Sequence, residues 1–350
     1  DDEAMRSVVR ARSLACACNS LNPRRIAQLQ PRYRAIGTAP GYFARDDLLQ
    51  SYKRPLPKGV AYTDLDPKAL ARDIHSYGNA RAVWEEIYAT ASAQHKGQSW
   101  QTEDLQEFGV DNFLHRHVLS HASLACGLAA CVGGKLGSNS YGGDVEYKQI
   151  LLSAFKADPD IVDAVACDIK QFRVVDPATS SLLGVYLFYK GVQALCCARV
   201  AHHYFTQRGD AGKLIAFLLQ SEMSEVYGID IHPGAKLGRG ITIDHATGVV
   251  IGETAVIGDN VYLMHEVTLG STGTAKEFDR HPKIGENVFL GAKCTILGNI
   301  TIGAGATVAA AAVVTKPVPP GYTAIGMPAK MFAPPEGDEL KIDTLKKTGK

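Results

Sequence analysis

The sequence predicts an α+β protein in which an N-terminal all-α helical domain is followed by a left-handed parallel β-helix. Two periodicities support this prediction. Apolar residues recur every three to four positions through the middle of the chain, and every six positions through most of its last third. The period changes near Ile229. We therefore expect four segments: an extension over 1–65, the helical domain over 66–226, the β-helix over 227–331 and a tail over 332–350.

Helical periodicity follows an N-terminal stretch that is broken by prolines and glycines. The apolar residues between Val83 and Ala91 fall on one face of a helix, as do those between Leu114 and Leu128. The run Asp158-Pro159-Asp160 has the form of a capped helix start, because aspartate can cap and proline is tolerated in the first turn. Further helices are predicted over 158–172, 186–206 and 213–227.

The β-helix prediction depends on an aliphatic residue that returns every six positions in three phased runs. In such a fold each hexad supplies one face of a triangular prism, and its aliphatic side chain points inward. The thirteen aliphatic positions are Ile231, Leu237, Ile243, Ile251, Ile257, Leu263, Leu269, Ile284, Leu290, Ile296, Ile302, Val308 and Val314.

The hexad phase breaks twice, and both breaks contain histidine. The step from Ile243 to Ile251 is eight residues, and the step from Leu269 to Ile284 is fifteen. Extra residues in a solenoid must leave its regular surface as loops, and such loops often form the binding face. The breaks are therefore where we expect the chemistry.

Three pairs of polar residues near the breaks are candidates for that chemistry. A carboxylate beside histidine is a general-base arrangement, because the carboxylate orients the ring and stabilises its cation. The sequence has no GxSxG motif and no evident nucleophile, which disfavours a covalent intermediate. The pairs are Asp230 with His232, Asp244 with His245, and Arg280 with His281.

Composition excludes several classes of partner. With 37 Lys and Arg against 36 Asp and Glu, the formal net charge is +1, which argues against a nucleic-acid or membrane partner. No apolar run approaches the roughly 18 residues of a membrane-spanning helix. The eight cysteines form no CxxC pair, so we expect reduced thiols and no bound metal.

The N-terminal residues have a distinct charge pattern. Residues 1–45 hold eight arginines and three acidic residues, and no acid or lysine lies between Ala4 and Arg45. This composition is typical of an organelle transit peptide, and a disordered extension is the alternative. The expected location is cytoplasmic, or a plastid or mitochondrion if the segment is a transit peptide.

The residues around the breaks resemble the motifs of the serine O-acetyltransferase family. That resemblance covers about residues 80–332 and implies acetyl transfer from acetyl-CoA to the hydroxyl of L-serine, a step of cysteine biosynthesis. The matching stretches of the β-helix are 229–236, 243–248, 251–255, 279–284 and 296–300. Those of the helical half are Cys167-Asp168-Ile169, Arg173, Asp176-Pro177, Tyr189-Lys190-Gly191 and Gln193-Ala194-Leu195.

The resemblance also implies roles for individual residues. His245 would be the general base, and Asp230 would orient it. Asp176 and Asp244 would bind the serine ammonium group, while Arg280 and His281 would bind the serine carboxylate. Acetyl-CoA would be a co-substrate rather than a permanently bound cofactor. Its contacts would be Gly270, Thr272, Gly273, Ala292 and Ala310.

The family resemblance implies a homotrimer or a dimer of trimers, with active sites between subunits. It also implies O-acetylserine sulfhydrylase as a partner, although Lys350 stands where many family members have the isoleucine that docks there. The chain departs from the family in the arm 271–278, which lacks a second glycine pair. It departs again at Ala309-Ala310-Ala311, which replaces Gly-Ala-Gly. Both changes restrict backbone approach to acetyl-CoA.

Three alternatives remain open on the sequence. The acceptor of the acetyl group could be homoserine or an amino sugar. The chain could instead be a β-helical zinc enzyme, or a non-catalytic scaffold for the sulfhydrylase. The zinc ligands would come from His232, His245, His265 and His281.

Overall fold

The computed structural model describes residues 79–96, 110–137, 143–176, 178–273 and 277–333. The predictions for the extension 1–65, including its transit peptide, and for nearly all of the tail 332–350 lie outside these ranges. The fold prediction itself is confirmed, since a helical domain precedes a parallel β-helix of hexapeptide repeats.

The described part of the helical domain has eight α-helices. Helix α2 continues into a short π-helical stretch, His115–Leu119, and in the core α3 packs on α4 and α7 on α8. The helices are α1 (Asn79–Lys96), α2 (Val110–Leu114), α3 (Leu124–Gly137), α4 (Gly143–Ala157), α5 (Asp160–Val175), α6 (Leu182–Phe188), α7 (Lys190–Gln207) and α8 (Gly209–Tyr227).

Two predicted helices are broken in the structure. The prediction of one helix over 186–206 is wrong, because Tyr189 adopts an extended backbone (φ −84°, ψ 100°) between α6 and α7. Its ring packs edge-on against Phe172 at 5.0 Å, so the apolar pattern continues through the break. The apolar stripe over 114–128 likewise spans two helical segments. The first segment ends at Leu119, and the second begins at Leu124.

The prediction that an aspartate caps helix α5 is also wrong. Helix α5 begins at Asp160 with Pro159 as its N-cap residue, and no side chain caps it. Asp158 lies instead near α7, with Oδ2 3.9 Å from Nδ1 of His203.

Fifteen short strands follow the helices in the described residues and form three sheets. The sheets have the orders β1-β4-β7-β10-β13, β11-β8-β5-β2 and β15-β14-β12-β9-β6-β3, and all pairs are parallel except β14 with β15. The strands are β1 (Ile229–Ile231), β2 (Lys236–Leu237), β3 (Thr242–Ile243), β4 (Val249–Ile251), β5 (Val256–Ile257), β6 (Tyr262–Leu263), β7 (Thr268–Gly270), β8 (Lys283–Ile284), β9 (Phe289–Leu290), β10 (Thr295–Leu297), β11 (Thr301–Ile302), β12 (Thr307–Val308), β13 (Val313–Val314), β14 (Thr323–Ile325) and β15 (Lys330–Phe332).

The hexad positions form the core of the prism. Each of the thirteen predicted aliphatic residues lies in a strand, and all are buried except Leu237, which is partly buried. Helix α8 ends at Tyr227, where Gly228 adopts the left-handed conformation (φ 67°) and donates to the Ser224 carbonyl. The next residue begins β1, so the change of period coincides with a glycine helix terminus.

A buried ion pair joins the helical domain to the first turn of the β-helix. Asp168 of α5 is fully buried and accepts from the guanidinium of Arg199 of α7 and from the Ile241 backbone N–H at 2.8 Å. Arg199 also donates to the carbonyls of Leu237 and Gly238. Burying two charges is tolerated when each has this many partners.

No disulfide links the described cysteines, and most of them are buried. Burial raises the pKa of the Cys197 thiol to about 12, and that of Cys294 likewise to about 12. Neither is a thiolate nucleophile near neutral pH. Among the described helices, none is long and apolar enough to cross a membrane.

Candidate active site

The first break places His245 on an outward loop between β3 and β4. His245 and Ala246 both have left-handed backbones (φ 55° and 63°), and the side chain of His245 is 70% exposed. A non-glycine residue in this region is strained, and such strain clusters at functional sites. The two extra residues of this hexad therefore present an imidazole to solvent.

Two side chains lie beside the His245 ring, and a third donates to one of them. Oδ2 of Asp244 lies 3.7 Å from Nε2 of His245 and accepts from the Tyr262 hydroxyl at 2.8 Å. The His265 ring meets His245 edge-on, with centroids 5.7 Å apart. We call residues 244–248 and 264–266 the His245 corner.

The helical domain supports this corner from behind. Lys190, at the start of α7, donates to the Thr247 hydroxyl. A side chain at Gly191 would collide with the Ile243 carbonyl, because its Cβ would lie 2.2 Å away. Only glycine lets α7 approach β3 this closely, and this contact aligns the strand that leads into Asp244 and His245.

Asp176 and Asp230 are placed by other contacts. Asp176 follows α5, and its carboxylate accepts from the Ala178 N–H and the Thr179 hydroxyl, both at 2.8 Å. Asp230 projects from β1 and accepts from Gln220 of α8 at 2.7 Å. The carboxylate that the structure brings to His245 is therefore that of Asp244, whereas Asp230 was expected to orient the ring.

Arg280 ends the second break and has defined partners. One guanidinium nitrogen donates to Oε2 of Glu253 at 2.9 Å, and another donates to the Phe278 carbonyl at 3.0 Å. The Arg280 backbone N–H donates to the Thr254 hydroxyl oxygen. We call residues 252–254 and 279–281 the Arg280 corner.

His281 is buried at the same corner, and its Nδ1 faces Thr254. The backbone N–H and the hydroxyl of Thr254 lie 3.1 and 2.9 Å from that nitrogen. Burial lowers the pKa of His281, with Arg280 and Lys283 acting in the same direction and Glu253 opposing them. The ring packs on Gly252, where a Cβ would lie 2.1 Å from it, so this position requires glycine.

The two corners lie at opposite ends of the strands of the five-stranded sheet, one before β4 and one after it. Residue 248 precedes β4 and residue 252 follows it, and a three-residue strand spans about 10 Å. His232 lies on the same side as the Arg280 corner. Burial lowers the pKa of His232, Glu253 opposes this shift, and Arg280 adds to it. No three His, Cys, Asp or Glu side chains converge as a metal site would require in the described ranges.

The positions predicted to contact acetyl-CoA lie partly below the His245 corner and partly below the Arg280 corner. Ala292 stacks below the His245 corner, since the Lys293 N–H donates to the His265 carbonyl, and Ala310 lies one coil further on. Ala311 adopts φ 57° in spite of its Cβ. Gly270 stacks below Gly252 on the other side of the sheet, followed by Thr272 and Gly273.

Sequence reasoning missed two side chains that contact the His245 corner. Tyr262 and Lys190 belong to a hexad and to a helix start, and no periodicity distinguishes them from structural residues. Lys190, Glu253 and Thr254 lie in stretches that match the family's motifs, but the resemblance implied no role for them. Because these contacts join separate coils of the β-helix, or join a coil to a helix, the linear sequence does not reveal them.

Known proteins resemble this chain closely. A serine acetyltransferase of Escherichia coli (strain K12) is 41% identical over 232 residues, which are 66% of this chain and 83% of that protein. Soybean serine acetyltransferase, solved complexed with serine, is 41% identical with a TM-score of 0.66, covering 73% of this chain and 100% of that one. A serine acetyltransferase solved in complex with CoA is 36% identical with a TM-score of 0.66, covering 72% and 100%.

Family models match both halves of the fold. The model described as "Serine acetyltransferase, N-terminal" matches residues 83–197, from α1 into α7. The model described as "Bacterial transferase hexapeptide (six repeats)" matches residues 281–316 of the β-helix. With both halves matched and the bacterial relative covered over 83% of its length at 41% identity, the chain belongs to the serine acetyltransferase family.

Proposed function

We propose that this chain transfers the acetyl group of acetyl-CoA directly to the hydroxyl of L-serine, with His245 as the general base. The observation that carries the proposal is the exposed imidazole of His245, held on a strained loop beside Asp244. Relatives solved with serine and with CoA support the two substrates.

The reaction needs one proton acceptor and no covalent enzyme intermediate. Nε2 of His245 takes the proton of the serine hydroxyl as its oxygen attacks the thioester carbonyl. The tetrahedral intermediate collapses, the carbon–sulfur bond breaks, and the CoA sulfur leaves with the proton that His245 returns. The products are O-acetyl-L-serine and CoA. A positioned histidine suits both steps because its ordinary pKa lies near neutrality.

Charged groups at the two corners suit the two charged groups of the amino acid. In this proposal Asp244 and Asp176 bind the ammonium group, and Arg280 and His281 bind the carboxylate. Glu253 holds the Arg280 guanidinium in place before the substrate arrives. Asp230 lies on β1 and accepts a hydrogen bond from Gln220. To orient His245 directly, its carboxylate must exchange that hydrogen bond for one from the His245 ring.

A single serine cannot bridge the two corners of one chain, because both its charged groups are attached to one carbon. The three-residue strand β4, about 10 Å long, separates the His245 corner from the Arg280 corner. We infer that the His245 corner of one subunit faces the Arg280 corner of the next. A heterologous contact of this kind forms a ring when its rotation closes, and a homotrimer or a dimer of trimers is the closed assembly that we propose.

The same pairing would place acetyl-CoA in the groove between neighbouring β-helices. Ala292 and Ala310 would line it from one subunit, and Gly270, Thr272 and Gly273 from the other. No lysine, arginine or metal is needed at the reacting thioester in this proposal.

The direct test is release of CoA thiol from acetyl-CoA, followed with a thiol-reactive dye. We expect release with L-serine, much less with L-homoserine and none without an acceptor. Faster release with homoserine would reassign the acceptor. A folded oligomer with no release for any acceptor would instead favour a scaffold that binds O-acetylserine sulfhydrylase.

Arg280→Ala is expected to raise the KM for serine roughly 10- to 150-fold with a smaller change in kcat. The lost charge-assisted hydrogen bond to the carboxylate accounts for this change, at about 1.5–3 kcal/mol. Steady-state kinetics at saturating acetyl-CoA would measure it. Lys316→Ala, at an exposed lysine of the β-helix, is the control and should behave as wild type. An unchanged serine KM in Arg280→Ala would remove Arg280 from the site.

A further inference from the structure

Thr254 has more hydrogen-bonding partners than its place in a hexad requires. Its hydroxyl oxygen accepts from the backbone N–H groups of Arg280 and His281, both at 3.1 Å. A hydroxyl has two lone pairs and one proton. With both lone pairs occupied, the hydroxyl can act only as a donor, and Nδ1 of His281 lies 2.9 Å from it.

The backbone of Thr254 imposes the same condition on His281. Its N–H is always a donor and points at the same Nδ1 from 3.1 Å. A fixed donor therefore faces this nitrogen, so it must be the unprotonated one. The ring proton then lies on Nε2, which makes no hydrogen bond among the described residues and is not one of their buried unpaired atoms.

We propose that Thr254 is a positioning residue that holds His281 as the neutral tautomer with its proton on Nε2, ready to donate to the serine carboxylate. The inference rests on the serine site proposed above. It explains why two different side chains are used for one carboxylate. Arg280 supplies the charge, and His281 supplies a donor of fixed direction.

The charges around His281 are consistent with a neutral ring. Arg280, Lys283 and His232 disfavour its cation, and Glu253 favours it but is already bonded to Arg280. Asp279 is a second acceptor near the Thr254 hydroxyl, and its two oxygens also accept from Lys283 and Asn299. The Thr254 backbone N–H donates to Nδ1 of His281 whichever acceptor the hydroxyl uses.

Thr254→Val and Thr254→Ser test the proposal kinetically in the full chain. Valine has the shape of threonine without the hydroxyl, and serine retains the hydroxyl. We expect Thr254→Val to raise the serine KM about tenfold, with kcat at saturating serine and the KM for acetyl-CoA nearly unchanged. Thr254→Ser should restore the serine KM. A wild-type KM in Thr254→Val, or equal defects in both variants, would overturn the proposal.

The tautomer can also be read directly, even if the valine variant fails to fold. Solid-state ¹⁵N NMR of the wild-type chain labelled at histidine distinguishes protonated from unprotonated ring nitrogens, and His281→Asn identifies the His281 signals. We expect an unprotonated Nδ1 at neutral pH, and a protonated Nδ1 would overturn the inference. If thiol release shows no dependence on serine while Nδ1 is unprotonated, the proposed substrate fails and the assignment of the tautomer stands.

Discussion

His245→Asn is expected to lower kcat by about 10²–10⁴-fold, which is the usual contribution of a positioned general base. Both kcat and kcat/KM for serine should fall together, because the lost proton transfer occurs only in the transition state. The fold should survive, since the side chain of His245 is 70% exposed and little packing depends on it. Thiol release from acetyl-CoA measures the rate, and circular dichroism with gel filtration measures the fold.

Asparagine is the appropriate replacement because of the backbone at this position. His245 has φ 55°, a region that asparagine tolerates and that costs most other residues roughly 1–2 kcal/mol. Alanine would confuse the loss of the base with a strained loop. His115→Asn, at an exposed histidine of the helical domain, is the matched control and should retain full activity. A wild-type kcat in His245→Asn would refute the assignment of the base.

The β-helix could be predicted from the sequence because its period follows from simple geometry. Each face of the prism needs one inward aliphatic side chain, so the thirteen positions are periodic whatever lies outside. Outward residues have no such constraint. Tyr262 contacts Asp244 from the adjacent coil, and Asp230 is engaged by Gln220 of α8. Those contacts depend on how coils stack and how helices cover them.

The candidate site could be predicted in part for a related reason. A break in phase showed where loops leave the prism, and Asp244, His245, Arg280 and His281 all lie at such breaks. It could not show that β4 separates them into two corners. The break at Tyr189 was missed because both flanking helices bury apolar residues in the same period.

Asp168→Asn is expected to lower the free energy of unfolding by about 3–5 kcal/mol, the usual cost of breaking a buried ion pair by removing one partner. The Arg199 guanidinium would be left with an uncompensated charge where its side chain is 8% exposed. Urea unfolding followed by circular dichroism measures the change. Glu85→Gln breaks the exposed Arg81–Glu85 pair and, as the matched control, should shift the urea midpoint little.

Asp168→Leu should also lower activity, because leucine has no acceptor for the Ile241 N–H just before β3. Strand β3 leads directly into Asp244 and His245, so a loosened strand start moves the general base. Arg199→Met in the Asp168→Leu background removes the uncompensated charge and should recover much of the lost stability. It cannot restore the acceptor for Ile241, so activity should recover less than stability does. Equal recovery of stability and activity would show that charge alone, and not the anchoring of β3, links this buried pair to the site. Wild-type stability in Asp168→Asn would show that the ion pair does not stabilise the fold.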